Sequence, residues 1–474
     1  MRDDAIGLAF AEFDSGRFFD MLARRVARPT ESQNPERADD LIAYLEHELV
    51  PDFNAMGFIC SIWPEAKGPF LLAERIEDPS LPTVFSYGHG DVVHGQAAQW
   101  REGCSPWRLT EDAGAWFGRG VADNKGQHTV NMASMQAVLR TRGKLGFNVK
   151  FFIEMGEEVG SPGLREFCAS HRDRLGADVF IASDGPRLEA GRPTIFLGSR
   201  GDLGFTMSIE AHGGAHHSGN WGGLLSNPGI ELANAIACVA GPTGQIRIPE
   251  WVPPDIPVSV RRALADCGLP SSIDGTAIEA WWGEPGLTPA ERVYGWSSFE
   301  VLAFVCGNPE APVNAIPARA WARCQLRFVV GVDSERILPA LRRHLDRHGF
   351  SRVEIAELEG EEVLLATRLD PDDPWVSWAV ASMARSTGMR PAVLPNFGGS
   401  LPNDIFSETL GLPTIWIPHS YPGCSQHAPD ERVPRALLRE ALGLMTGLYY
   451  DLGDVGLHRT DSGRLVPCAA IAKA

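Results

Sequence analysis

Apolar residues along this chain recur in two alternating rhythms. Phe18, Met21, Leu22 and Val26 fall at helical spacing and predict a helix before about Thr30. Leu41, Leu45 and Leu49 lie on one face of a second helix between Pro35 and Met56. Short continuous apolar runs follow: Val84-Phe85 leading into Gly-His-Gly, Asn148 to Met155, and Asp178 to Ala182 ahead of Ser183-Asp184. Runs of this length predict buried strands, and Gln127 to Arg142 between the first two reads as a helix. Helix alternating with strand up to about Arg200 predicts a parallel or mixed sheet covered by helices.

Near Gly198-Ser-Arg-Gly-Asp the rhythm changes. Leu203 to Ala211 alternates as a half-exposed strand, the pattern of an antiparallel sheet. Asn227 to Val239 reads as a helix, Ala320 to Val330 as a strand, and Ser334 to His348 as a helix with Ile337, Leu341 and Leu345 inward. The Pro- and Trp-rich stretch from Pro249 to about Pro289 has little periodicity and predicts long loops. This block predicts an α+β sandwich of its own. Around Asp372 the first rhythm returns, with a helix over Trp375 to Thr387, a short buried strand at Thr414 to Pro418 and a last helix over Pro434 to Tyr450. The tail after Gly456 is expected to be a loosely held extension.

At 474 residues the chain exceeds one typical hydrophobic core, so more than one domain is expected. A hydrophobic fraction of 44% and a charged fraction of 22% are those of an ordinary globular protein. The net charge of −17 argues against nucleic acid or an anionic membrane as partner. No run is long enough to span a bilayer, and the opening MRDDAIGLAFAEFDSG is acidic without an uninterrupted apolar core, unlike a signal peptide. Nine cysteines, an odd number without Cys-x-x-Cys spacing, fit reduced thiols and a cytoplasmic location. Cys104 and Cys424 lie near the polar motifs described next and read as small buried thiols rather than nucleophiles.

Those motifs come in a fixed order. They are His89 and Asp91 in SYGHGDVV, Asp123 in GRGVADNKGQ, Glu157-Glu158 in FFIEMGEEVGS, Asp184 in FIASDGP and His427 in CSQHAPDE. Each has a bland reading alone: a hydrogen-bonded pair, a solvated surface pair, a helix cap. Here three predicted strands end in His-x-Asp, Glu-Glu and Ser-Asp, and ligands of open α/β sheets sit at the carboxyl ends of strands. Two histidines and three carboxylates make a mixed N/O donor set suited to a pair of divalent ions. Glu157 is left over beside a ligand, where a general base belongs. Because His427 joins the set that begins with His89, the chain must return to its first domain, and the middle block is an insertion.

In this order and around this insertion, the motifs resemble the zinc-dependent family of carnosinase, glutamate carboxypeptidase, succinyl-diaminopimelate desuccinylase, acetylornithine deacetylase and aminoacylase-1, over about Phe18 to Leu452. The resemblance implies an α/β catalytic domain, with a mixed, mostly parallel sheet covered by helices, interrupted by an α+β lid and dimerisation domain. The divisions would be 1–202, 203–366 and 367–474. It implies that Asp123 bridges two metal ions, that His89 and Asp184 complete one site, and that Glu158 and His427 complete the other. Zinc is the expected metal, with manganese or cobalt as alternatives. Asp91 would orient the His89 imidazole, since residues two apart in an extended chain share a face. Glu157 would be the general base of a metal-activated water. His217 in GGAHHSGNWGG would donate to the oxyanion of a partner subunit's site, making the protein a homodimer. Asn314 in the Asn-Ala-Ile-Pro turn, Arg327, and Gly399-Ser400 in GGSLP would bind substrate, the last two groups gripping a terminal carboxylate.

The chain departs from that pattern at three places. Asn124 stands where an acidic residue is usual, after a peptide bond that is typically cis in relatives. Asp430 replaces an asparagine, and Asn396-Phe397 replaces an Arg-Glu pair before Gly-Gly-Ser. The reaction implied is metal-assisted hydrolysis of a peptide or amide in a small substrate. The long lid favours a dipeptidase. The altered pocket loop leaves open an N-acyl-amino-acid deacylase or other amidohydrolase, and a non-catalytic small-molecule-binding protein of the same fold is the remote alternative.

Overall fold

The structure is a computed structural model that describes residues 1–64, 68–269, 272–273, 276–358 and 363–468. Its frame is an eight-stranded sheet. The strands run in the order Ile59–Trp63, Phe70–Arg75, Asn148–Glu154, Thr83–His89, Val179–Ala182, Thr414–Trp416, Thr194–Phe196, Ala392–Leu394. Pairing is parallel between Thr83–His89 and both of its neighbours, and again between Thr414–Trp416 and Val179–Ala182, while the edge nearest Ile59 is antiparallel. The central strands carry apolar side chains on both faces, as a sheet buried on both sides requires. One face packs under the helices Lys125–Arg142, Pro374–Thr387 and Arg435–Leu452, with Val149, Phe151 and Ile153 pointing in. The other face holds an aromatic cluster of Phe85, Tyr87, Phe152, Phe180, Phe406 and Trp416.

Between the two stretches of chain that build this sheet lies a four-stranded antiparallel sheet in the order Ser298–Cys306, Arg319–Phe328, Gly201–Glu210, Glu354–Glu357. Strict alternation along Gly201–Glu210 puts Leu203, Phe205, Met207 and Ile209 on one face. That face is covered by the helices Pro228–Val239 and Ile337–Arg347, with Ile337, Leu341 and Leu345 buried as the spacing predicts. Asn227 caps the first of these helices through its side chain.

One expectation is extended and one is corrected. Beside its loops, the Pro/Trp-rich stretch holds a helix, Val258–Cys267, whose Val260, Leu264 and Cys267 are buried. Cys267 reaches the eight-stranded sheet, its thiol donating to the carbonyl of Val393 at 3.2 Å. The tail after Gly456 is also held. Leu457–Arg459 pairs with Leu465–Pro467, Val466 is buried, and Trp375 donates its indole N–H to the Leu465 carbonyl at 3.1 Å. The last six residues, 469–474, lie outside the described residues.

Candidate metal centre

Four of the candidate side chains, His89, Glu157, Glu158 and Asp184, stand at or just beyond the carboxyl ends of sheet strands. His89 closes Thr83–His89, opposite Glu154 at the end of its neighbour. Glu157 and Glu158 lie in the short turn that follows Glu154, and Asp184 comes two residues after Val179–Ala182. Asp123 precedes the helix Lys125–Arg142 across a cis peptide bond to Asn124, and His427 sits in a loop with φ of 59°.

Asp123 spreads its two oxygens between two imidazoles: Oδ1 lies 3.0 Å from His89 Nε2 and Oδ2 lies 3.2 Å from His427 Nε2. Each imidazole has a second carboxylate nearby. His89 Nε2 is 3.7 Å from Asp184 Oδ2, and His427 Nε2 is 3.0 Å from Glu158 Oε2. The five side chains thus form two His–carboxylate pairs with Asp123 common to both. Donor atoms of His89, Asp123 and Glu158 lie within 4.8 Å of one another, and the buried Oδ2 of Asp184 has no hydrogen-bond partner among the described residues. Burial pushes the carboxyls of Asp184 and Glu158 up to about 6 and about 7, and that of Glu157 well above the usual range. Hydrogen bonds to Asp123 and Glu158 push His427 up to about 11. A buried group of four carboxylates facing two imidazoles demands compensating positive charge. The donor set fits divalent metal, which His89, Asp123, Glu158, Asp184 and His427 would hold.

Asp91 touches both His89 and the glutamate turn. The Asp91 backbone carbonyl is the hydrogen-bond partner of His89 Nδ1 at 3.1 Å, with the side-chain Oδ1 3.4 Å from the same nitrogen, and its two carboxylate oxygens accept the backbone N–H groups of Glu157 and Glu158 at 3.2 and 3.1 Å. One buried carboxylate therefore ties the histidine strand to the turn carrying the two glutamates. The other end of that turn is tied by Glu154, whose Oε1 accepts from Tyr87 Oη at 2.6 Å and from Ser161 Oγ at 3.0 Å. No hydrogen bond from a described residue reaches the Glu157 carboxylate.

Two residues that sequence reasoning passed over support Asp123. The buried carboxylate of Glu431 accepts from the backbone N–H groups of Gly120, Ala122 and Asp123 at 3.0, 2.9 and 3.1 Å, and from Arg119 Nη1 at 2.9 Å. Gln426 Nε2 donates to Asp123 Oδ2 at 3.2 Å. Their position flanking His427 in Gln-His-Ala-Pro-Asp-Glu was the available signal. At the departures, Asn124 donates to the Ser183 carbonyl, Asp430 accepts from Arg101, Asn396 is buried on the carbonyls of Ser199 and Thr367, and Phe397 stacks on Phe196.

A second cluster joins the two sheets. Arg327 Nη1 donates to Ser400 Oγ at 2.8 Å, and its Nη2 lies 3.4 Å from Asp202 Oδ2. Ser400 Oγ donates in turn to the Arg200 carbonyl at 2.9 Å. Arg200, also unforeseen, donates from Nε to the Gly398 carbonyl at 2.8 Å, beside Gly399. Burial and the neighbouring Arg327 push its guanidinium down to about 10. His217 and Asn314 are brought together elsewhere. Strand His216–His217 pairs with Ala315–Ile316, and the Asn314 carbonyl accepts from Ser218 N at 2.9 Å. Both residues are exposed, and among the described residues no hydrogen bond or ion pair links either to the five converging side chains.

Comparison with known proteins places this geometry in context. The sequence model of peptidase family M20/M25/M40 matches residues 85–451. The β-Ala-His dipeptidase of Mus musculus is 35% identical over 382 residues, covering 77% of this chain and 76% of that protein. The Cys-Gly metallodipeptidase of Schizosaccharomyces pombe is 24% identical, covering 82% of this chain and 83% of its own length. In fold, the chain resembles an M20 metallo-carboxypeptidase from Sulfolobus solfataricus, with a TM-score of 0.77, 23% identity, and coverage of 92% of this chain and 99% of that one. It also resembles human carnosine dipeptidase 1, with a TM-score of 0.73, 21% identity, and coverage of 95% and 99%.

Proposed function

The chain belongs to peptidase family M20/M25/M40, a metal-dependent hydrolase family, and from that premise we propose that it is a dipeptidase working with two divalent ions. The observation that carries this reading is Asp123, shared between the His89–Asp184 and His427–Glu158 pairs, with the Glu157 carboxylate unclaimed beside them. When bound there, divalent ions supply Lewis acidity toward a substrate carbonyl and toward water. Zinc suits the donor set, with manganese and cobalt as the ions to compare.

Glu157 takes the proton of the attacking water and returns it to the leaving amine. Its backbone is held by Asp91, so the carboxylate enters the site from a fixed turn. Arg327, with Ser400 and the Gly399 backbone, grips the substrate's terminal carboxylate. His217 and Asn314 serve a site across a dimer interface, which accounts for their exposure in one protomer. Support for a homodimer comes from the strand Ser298–Cys306. It is an edge strand, and it exposes Val301, Leu302, Phe304 and Val305, the kind of edge that proteins cover. The divisions 1–202, 203–366 and 367–474 belong to the same reading.

Relatives of this chain are named as dipeptidases, so the deacylase alternative has less support. The two readings separate on one requirement, a free α-amine. Enzyme stripped by chelator and reloaded with zinc should cleave dipeptides and leave N-acetyl amino acids intact, and chelation should abolish turnover. Cleavage of the N-acetyl compounds alone would overturn the dipeptidase reading.

A further inference from the structure

Behind Arg200 lies a cavity of about 580 Å³ that the site so far described does not use. Its wall includes Trp282, Trp296, Ser298, Phe299 and Glu300, together with Arg200 itself. Arg200 links it to the carboxylate grip. Arg200 Nη1 donates to Ser298 Oγ at 3.2 Å while Nε holds the Gly398 carbonyl. Ser298 is the cross-strand partner of Arg327. A Cβ on Gly398 would sit 3.3 Å from Val293 Cγ1, in the same wall.

The charges in this wall are unevenly committed. Arg292 spends its guanidinium on the carbonyls of Ala280, Trp282 and Glu284. Arg200 turns toward the grip. Glu279, Glu284 and Glu300 also line the cavity, and Glu300 accepts no hydrogen bond from any described residue, with Arg200 as the charge beside it. The Ser297 hydroxyl and the Trp296 indole N–H are buried without a partner among the described residues. Indole faces and free carboxylates together recognise a cation.

We propose that this cavity receives the side chain of the substrate's C-terminal residue and selects a basic one, of the lysine or arginine type. The proposal rests on the dipeptidase reading: with the terminal carboxylate on Arg327 and Ser400, the adjoining cavity is where that residue's side chain goes. Glu300 pairs with the cation and Trp282 packs against its aliphatic stem.

The test compares alanyl-arginine, alanyl-leucine and alanyl-glutamate on the zinc-loaded enzyme. The expected kcat/KM for alanyl-arginine exceeds that for alanyl-leucine by about tenfold and that for alanyl-glutamate by more, an extent set by one partly desolvated charge pair. Glu300→Gln should bring the arginine-to-leucine ratio to near one, and Trp282→Ala should reduce it. Equal rates for all three, a preference for glutamate, or an unchanged ratio in Glu300→Gln overturns the proposal while leaving the dipeptidase reading standing. If none of the three is cleaved, the dipeptidase reading fails instead. Binding then decides the cavity: indole fluorescence of zinc-loaded Glu157→Gln should report alanyl-arginine binding about tenfold tighter than alanyl-glutamate, and equal affinities overturn the proposal.

Discussion

Glu431 shows how much one buried carboxylate can organise. It accepts three backbone N–H groups of the loop that carries Asp123, as well as Arg119. A glutamine there would keep one acceptor oxygen and turn an NH₂ toward donors. Glu431→Gln should therefore loosen the Asp123 carboxylate and weaken metal binding by about 10–100-fold, the usual cost of losing an outer support, read by chelator competition. Glu157→Gln should separate binding from chemistry. Metal content should stay at the wild-type level, while turnover of a dipeptide falls by about 10²–10⁴-fold, the range of general base catalysis. Near-normal turnover in that variant would mean that another group activates the water.

Among elements, connections between strands carry unusual hydrogen-bond loads. Glu77 follows the strand Phe70–Arg75 and accepts the N–H groups of Leu145 and Gly146 at 2.8 and 2.9 Å, with Arg75 Nε at 3.0 Å. Burial alone would raise its carboxyl, but these donors hold it below its ordinary value. A carboxyl whose folded value is depressed stabilises the protein above its unfolded value and loses that contribution as the pH falls through the folded value. Glu77→Gln should cost about 1–3 kcal/mol near neutral pH, and the difference from wild type should narrow in urea melts below about pH 4.5. The tail hairpin makes a similar case. Ending the chain at Gly456 removes buried Val466, worth about 1.5–3 kcal/mol, with the Trp375–Leu465 bond and the Arg464–Asp373 ion pair. The thermal midpoint of the truncated protein should drop measurably; an unchanged midpoint would show that the hairpin contributes nothing.

For the whole molecule, the question is whether one chain makes a complete site. His217 is exposed on the second sheet's domain, whose edge strand presents Val301, Leu302, Phe304 and Val305 to solvent. If two copies pair through that edge and share sites, Glu157→Gln and His217→Ala should each be inactive alone and recover activity when their subunits are exchanged. Mixed dimers would hold one site with both lesions and one with neither. Phe304→Asp should shift the protein toward monomer in sedimentation and reduce activity with it. A fully active monomer would rule the shared site out.

Sequence pattern alone determined the elements whose burial follows a simple period and the order of the polar motifs at strand ends. Leu341 and Leu345 face inward, and His89 and Asp184 lie at the carboxyl ends of strands, because a side chain's direction in a helix or strand is set locally. The helix Val258–Cys267 was missed although Val260, Leu264 and Cys267 fall at helical spacing, because the run is short and the stretch around it is rich in proline and tryptophan; Val260 and Leu264 pack locally with Ile256 and Ala290, while Cys267 reaches the sheet. Tertiary structure alone decided that Glu431 would support Asp123, 308 residues away, and that Arg200 would meet Gly398 across 198 residues. It also decided that Glu300 would line a cavity together with Arg200 and Ser298. Such meetings depend on the path of the whole chain through two packed sheets, and no local rhythm of apolar and polar residues encodes that path.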